Sequence, residues 1–595
     1  MASEKTVRRW LAVAFFALAF FCRILNAPYV FEGAKPHIAP VDELYHWKRM
    51  SYSAAHFPHV LEFDRDRGVA GAFCPWPPLY DVAAGGAARL LGASSTDKSV
   101  CATLAESCVL CGTDTLVCAP SDEVLARVIW FPPILFALFT AITVFILARR
   151  SQIIATLTGI ALATSPFLVT TSWIGSIDHH FLEPILTFAI LGATCLAIRA
   201  QTRGESMRAA VLLGIAITAA MFVQTALLIA AALAFAVLFF ATDGMAGAIA
   251  FSIAAIAVSI YRLTRPPAFP DNQWFLGWTH ATLFAAAAIA CALLQKRSPG
   301  GPPAGPPPAR RRVFALLIGA LLVIAIPTVR ASIFTGSHFL GGDRWLKTIQ
   351  EFQPLWRARG DDLLSDVAGL SGGAILVWFL AIRTRDKARL TVAIFAIAYF
   401  ALTLTSRRFW IVAIPLLALA GATYVPLIAR KRLALLAALA IALPPPLQLA
   451  GWLMTPMTVP PNQQQWLEAT SFISTLPPGR VLGPWSLGHA IDVEGKHPVV
   501  VDNFGTMPDA ATFNRAQEAL LASDEATLAA YCEAANVRYL ILETPRFGIA
   551  SANAILGTQR APESTWWWRV WRGETPRRFR LIWKGPELRM YALSS

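Results

Sequence analysis

Thirteen stretches of predominantly apolar residues constrain this 595-residue chain more than any other feature: 10–27, 124–147, 152–172, 181–199, 208–223, 225–241, 244–262, 277–295, 313–329, 368–383, 389–405, 409–428 and 433–450. Each approaches the ~20 residues that carry a helix across the hydrocarbon core of a bilayer. A soluble chain of this length would need charge to coat its surface, typically about 25% of residues. Here charged residues are 15% and hydrophobic ones 56%. Disorder is excluded by the same composition, because disordered segments are poor in aliphatic and aromatic residues. The expected fold class is a polytopic α-helical membrane protein.

The 51 Lys and Arg against 37 Asp and Glu give a net charge of +14. A basic chain can indicate nucleic acid, but here the basic residues cluster between spans. Lys5, Arg8 and Arg9 precede the first. Arg149 and Arg150 follow the second, and Arg199, Arg203 and Arg208 the fourth. Lys296, Arg297 and Arg310 to Arg312 follow the eighth, Arg383, Arg385, Lys387 and Arg389 the tenth, and Arg430 to Arg432 the twelfth. With thirteen spans all of these fall on one side, which the positive-inside rule makes cytoplasmic. The charge is thus topology, and no nucleic-acid partner is expected. No small-residue cleavage pattern follows the first span and Arg23 interrupts its end, so it reads as retained rather than as a signal peptide.

An odd number of spans then places three larger segments outside a multi-pass cell (inner) membrane: 28–123, 330–367 and 451–595. Residues 1–450 form the membrane domain. Residues 451–595 read as an extracytoplasmic α/β domain, with strand-like runs at 498–501 and 539–542 and an amphipathic helix over 510–535. Residues 298–309 are a Pro/Gly-rich linker. Cys74, Cys101, Cys108, Cys111 and Cys118 share the first outer segment, where an oxidising compartment would favour one or two disulfides. Cys108-x-x-Cys111 also has metal or redox spacing, but no His lies near it.

Four polar clusters are not explained by lipid, and all fall on the outer side. Asp42 and Glu43 stand in VDELYHWKR. Asp178, His179 and His180 in GSIDHHFLE offer a carboxylate and two imidazoles, which suit a borderline divalent cation. An N-cap with interfacial histidines is the competing reading of that loop. Glu351 lies in KTIQEF. Arg407 and Arg408 begin the twelfth span against the positive-inside trend, so they call for an anionic partner, either a phosphate or lipid headgroups. Together the clusters describe an interfacial site for a lipid-linked phosphate and a water-soluble acceptor.

In their order and placement these motifs resemble the catalytic subunit of oligosaccharyltransferase, including its single-subunit bacterial and archaeal forms. These are GT-C glycosyltransferases with thirteen spans and an extracytoplasmic C-terminal domain. The resemblance covers nearly the whole chain and is weakest in spans five to eight. It makes Asp42 the first-loop Asp that meets metal and acceptor amide. FP (57–58) and CPWPPLYD (74–81) resemble the same loop of bacterial members. Asp178 keeps the first acid of the second acidic motif, and His180 stands where the second acid is usual. TIQE (348–351) matches a TIxE motif on a mobile outer loop, 330–367, and Arg408-Phe409 matches the Arg that binds the lipid diphosphate. One motif departs from the pattern. The family's WWDYG, which reads the Ser/Thr of an Asn-x-Ser/Thr acceptor, is here Pro484-Trp485-Ser486-Leu487-Gly488. Ser486 offers no carboxylate, so the charged acceptor for a Thr hydroxyl is missing from this position.

The resemblance implies transfer of an oligosaccharide, with inversion, from a polyprenyl diphosphate to an acceptor side chain, expected to be Asn of a protein or peptide. Asp42 and Glu351 would be catalytic. Asp42, Asp178 and His180 would hold Mn²⁺ or Mg²⁺, with His180 favouring Mn²⁺. Arg408 would hold the lipid diphosphate, and Trp485, Ser486 and Gly488 would face the acceptor. A GT-C transferase using a polyprenyl monophosphate sugar shares the Asp42-Glu43 and Pro77-Pro78-Leu79 features. An inactive glycan-binding homologue accommodates His180 and Ser486.

Overall fold

A computed structural model describes residues 3–33, 35–39, 41–93, 120–295, 308–327, 330, 343–357, 386–428, 430–454 and 461–594. Among these, seven helices are long and apolar enough to cross a membrane: Asp122–Ala148, His179–Arg199, Arg203–Val223, Met245–Leu263, Lys387–Thr405, Arg407–Leu427 and Lys431–Leu453. Shorter apolar helices stand at Gln152–Thr164, Thr225–Ala241 and Trp278–Ala292. Apolar side chains such as Ile260, Leu321 and Leu447 remain exposed on the bundle surface, as a lipid-facing exterior requires. The tenth predicted span, 368–383, lies outside the described residues, as do Cys101, Cys108, Cys111, Cys118 and the linker at 298–307. Cys74 is buried with a free thiol.

Local chemistry sets the helix ends. The first helix, Glu4–Arg23, stops at a fully buried arginine. Arg23 donates to Ser172 Oγ at 2.6 Å and to the carbonyls of Ala19, Leu162 and Ala163. These groups satisfy a cation that lipid could not, and they tie the first helix to Gln152–Thr164. The thirteenth predicted span divides into Lys431–Ala442 and Pro444–Leu453 at a run of prolines, which cannot continue the backbone ladder.

The C-terminal segment builds a four-stranded sheet in the order Arg480–Leu482, Val537–Glu543, Leu588–Leu593, Phe579–Lys584; the first pair is parallel and the others antiparallel. Two expectations need correction. The helix over 510–535 is two helices, Thr506–Leu520 and Glu525–Ala534, because Asp524 caps a new start by accepting from the Thr527 N–H. The apolar run 498–501 adds no strand to the sheet. Val499 instead bridges Val481 and Arg67, joining the sheet domain to the segment that follows the first helix.

Buried charge reinforces that junction. Lys48, on the helix Asp42–His56, sends its Nζ to Asp64 at 2.9 Å, Asp66 at 3.3 Å and Asp492 at 2.8 Å. Arg67 pairs with Asp502 and lies over the rings of Tyr45 and Phe504. Segment 343–357 docks on the same domain. Its Trp345 is 1% exposed and packs in the core of the C-terminal domain. Asp343 accepts from Thr506 Oγ1 at 2.7 Å.

Gly505 makes this docking possible. It adopts φ +53°, and a Cβ there would stand 2.1 Å from the Trp345 ring. Gly505→Ala is therefore expected to unseat Trp345. The result would be faster proteolysis within 343–357 and a red-shifted tryptophan emission, with the four-stranded sheet left intact by circular dichroism.

Candidate active site

The site lies where the Asp42–His56 helix, the loop ending at His180, segment 343–357 and the start of the Arg407–Leu427 helix converge. Val41 has non-helical dihedrals and provides no side-chain cap, so Asp42 and Glu43 fill the first turn, where the helix dipole favours carboxylates. Gly175 turns the preceding loop through φ +90°, and Asp178 then leads into the short turn His179–Phe181. Gln350–Phe352 is a single turn carrying Glu351, and Arg407–Phe409 is another, at the head of the Trp410–Tyr424 helix.

Asp178 is the hub. Its Oδ2 lies 3.2 Å from His180 Nε2, and its Oδ1 lies 2.8 Å from His179 Nδ1 and 3.4 Å from His46 Nε2. Oδ1 is buried and, among the described residues, receives no hydrogen bond of normal geometry. His180 Nδ1 is held by Glu183 at 2.8 Å. Arg408 reaches Glu351 at 2.8 Å and Glu183 at 3.4 Å, so it joins the TIQE segment to the rest of the site.

The electrostatics follow from this crowding. Burial, then the charges of Asp178 and Glu351, push the Asp42 carboxyl up to about 7. Burial and Asp178 push Glu43 up to about 8, and its Oε2 is buried without a partner among the described residues. Burial would raise Asp178 as well, but His180 and His179 outweigh it and hold that carboxyl well below the usual range. Burial opposes protonation of His46, and Asp81 and Asp178 overcome it, raising His46 to about 9. Crowded carboxylates with unpartnered buried oxygens are the environment a divalent cation relieves, and the mixed O and N donor set fits one.

The predicted residues Asp42, Asp178, His180, Glu351 and Arg408 are thus brought together. Trp485 packs edge to face on Trp345, centroids 5.7 Å apart, in the core of the C-terminal domain; it shares with the cluster only the segment that carries both Trp345 and Glu351. Ser486 is half-buried, and its carbonyl accepts from Asn503 at 3.4 Å. Gly488 is buried in close backbone packing, where a Cβ would stand 2.3 Å from Asp502 Cα.

Four further side chains belong to the site; of these the sequence reading names only His179, as the second imidazole beside Asp178, and assigns it no ligand role. His46 stacks on Trp76 with centroids 4.1 Å apart, and its Nδ1 lies 2.6 Å from Asp81. Asp81 is also paired with Arg49. His179 and Glu183 complete the loop side. The ligand atoms of His46, Asp178 and His179 lie within 4.8 Å of one another, as do those of His179, His180 and Glu183. His46 was legible as the residue one helical turn beyond Asp42, and Glu183 as the residue three beyond His180. Asp81 was within the CPWPPLYD motif but carried no sign of its partner.

No family model matches the sequence, and no curated protein does. Solved structures do match. The archaeal oligosaccharyltransferase AglB from Archaeoglobus fulgidus, in complex with an inhibitory peptide and a dolichol-phosphate, is 17% identical; the match covers 93% of this chain and 71% of that one with a TM-score of 0.72. The A. fulgidus enzyme tethered to an acceptor peptide containing the NVT sequon matches at 17% identity, 92% and 71% coverage and TM-score 0.66. Its complex with Zn and sulfate matches at 17% identity, 98% and 73% coverage and TM-score 0.65. Similarity at this level establishes a shared fold; function has to be argued from the site.

Proposed function

We propose that the chain is an oligosaccharyltransferase that moves a glycan from a polyprenyl diphosphate to the side chain of an acceptor protein, with Asn as the acceptor and inversion at the anomeric carbon. The observation that carries this reading is the convergence of Asp42, Asp178, His180, Glu351 and Arg408 from four separate segments onto one cluster. Support also comes from the relatives of this fold, one holding a dolichol-phosphate and one a sequon peptide. The reading places thirteen spans in a cell membrane with site and C-terminal domain (451–595) on the extracytoplasmic side, since the basic loops then face the cytoplasm.

Asp42, Asp178 and His180 would hold a divalent cation, Mn²⁺ or Mg²⁺. Such an ion supplies Lewis-acid stabilisation of the charge that develops on the departing diphosphate. Arg408 adds a fixed positive charge to the same leaving group. In the described state Arg408 is engaged by Glu351. An arriving diphosphate competes for that guanidinium and releases Glu351. Glu351 and Asp42 then accept hydrogen bonds from the acceptor NH₂ and orient its nitrogen. That nitrogen attacks the anomeric carbon from the face opposite the diphosphate, and the bond from that carbon to the diphosphate oxygen breaks. The proton lost from the nitrogen passes to the Asp42 or Glu351 carboxylate that held it. Trp485 and Ser486 border the acceptor side, with Gly488 letting the backbone pack closely behind them. Ser486 is uncharged, so acceptor choice is relaxed relative to enzymes that use an Asp there.

Mass spectrometry of extracytoplasmic glycopeptides from cells with and without this chain tests the reading. Glycosylated Asn residues that disappear with the chain are expected. Unchanged glycopeptides, or loss of glycan from lipids alone, would overturn it.

A further inference from the structure

We infer that His46, Asp178 and His179 form a second cation site, distinct from the one at Asp42 and His180, with the Asp178 carboxylate bridging the two. The two oxygens of Asp178 face different imidazoles. Oδ2 is directed to His180, whereas Oδ1 is directed to His46 and His179 and lacks a hydrogen bond of normal geometry among the described residues.

The three facing atoms make a compact triangle. His46 Nε2 to His179 Nδ1 is 2.9 Å, His179 Nδ1 to Asp178 Oδ1 is 2.8 Å, and His46 Nε2 to Asp178 Oδ1 is 3.4 Å. An ion about 2.1 Å from each, the usual Zn–N and Zn–O distance, would sit about 1 Å off their plane with a fourth position open. Two nitrogens and one oxygen favour a borderline ion such as Zn²⁺ or Co²⁺ over Mg²⁺.

The His46 imidazole is set up from behind. Asp81 accepts from His46 Nδ1 at 2.6 Å, and Trp76 clamps the ring face, so Nε2 is fixed toward Asp178. A carboxylate behind a histidine in this way fixes its tautomer and raises its basicity as a ligand. His179 Nε2 lies 2.7 Å from the Gln224 side-chain amide. It is the amide nitrogen of Gln224 that faces Nε2, while its oxygen accepts from Thr225 Oγ1 at 3.5 Å, so without a cation Nε2 accepts and Nδ1 carries the proton. A cation at Nδ1 displaces that proton and requires the amide to turn so that its oxygen accepts from Nε2–H. His46 and His179 are each 1% exposed and Asp178 is 8% exposed, so water competes poorly for these atoms. A cation entering here displaces the proton held between His46 Nε2 and His179 Nδ1, which lie 2.9 Å apart.

The inference extends the proposed metal chemistry but is read without glycan transfer. The full-length chain, purified in detergent and stripped with chelator, is titrated with Co²⁺ while visible absorbance and bound metal are followed. Two equivalents are expected, one giving the intense bands of a low-coordinate site. His46→Asn should bind one equivalent and lose those bands. His180→Ala should bind one and keep them. Asp81→Asn, which leaves every ligand in place, should weaken the band-giving site about 10–100-fold. Thermal unfolding identifies any variant that fails to fold, and Asp81→Asn keeps the test intact if His46→Asn does. A spectrum unchanged in both His46→Asn and Asp81→Asn would overturn the inference. Full Co²⁺ binding without transfer to any acceptor would sink the proposed function and leave this site standing.

Discussion

Asp42→Ala is expected to lower glycan transfer by at least about 10²–10³-fold, the scale on which one preorganised electrostatic contact to a transition state acts. The substitution removes a proposed cation ligand and one of the two acceptors for the attacking NH₂. It should not damage the fold. Asp42 opens its helix without capping it, since the preceding residue is Val41 and no side-chain cap bond exists there. Its carboxyl is held up near pH 7 by burial and by the neighbouring Asp178 and Glu351 charges, so in chelator its removal relieves repulsion. Thermal unfolding of the metal-free variant should therefore match or exceed wild type while transfer collapses, as is usual where a site is built at the expense of stability. Equal losses of activity and stability would instead mark Asp42 as structural.

Lys48→Met should have the largest effect on stability. The ammonium is 3% exposed and is surrounded by Asp64, Asp66 and Asp492. Removing it leaves three buried carboxylates without their cation, and breaking a buried ion pair in this way costs about 3–5 kcal/mol. Asp492 lies on the C-terminal domain, so the loss should show as separation of that domain from the helical bundle, read by limited proteolysis and denaturant unfolding. The pH dependence has a definite sign. Burial already raises Asp66 to about 6 and Asp492 well above the ordinary range with Lys48 in place. Without the lysine both rise further, so protonation relieves the repulsion. The deficit should be full at pH 8 and shrink toward pH 5. A deficit that does not depend on pH would mean lost packing rather than unbalanced charge.

The two positions also separate what is legible in the sequence from what is not. That Asp42, Asp178, Glu351 and Arg408 stand out from the apolar spans was legible because charge near such a span is costly; the structure adds that they lie together, and their roles are the proposal. The helical bundle was legible for the same reason: apolar length is a local property. Lys48 was not legible. A lysine on an amphipathic helix reads as a solvated residue, and its burial depends on Asp492, 444 positions away. His46 was visible one turn from Asp42, but its aim depends on Asp81 and Trp76, and no local pattern specifies that pairing. The strand expected at 498–501 failed in the same way. Its apolar run is buried, yet its partners are Arg67 and Val481 and not a full strand. Periodicity reports burial; what buries a segment is set by distant chain.

Segment 343–357 sits between these cases. TIQE marked Glu351, while the anchor that holds it, Trp345 against Gly505, was silent in the sequence. The Arg408–Glu351 pair then ties that anchored segment to Glu183 and the cluster around Asp178. Under the proposed function, donor arrival and acceptor positioning would share that one guanidinium.

The most direct measurement is transfer by the purified chain itself. The protein is supplied with Mn²⁺, a polyprenyl-diphosphate oligosaccharide and a fluorescent Asn-containing peptide, and both products are followed. The account predicts a glycosylated peptide with glycan on Asn and an equal amount of released polyprenyl diphosphate, both abolished in Asp42→Ala. Transfer from a polyprenyl monophosphate sugar alone, or tight binding of the lipid with no glycopeptide formed from any Asn-containing peptide, would contradict it.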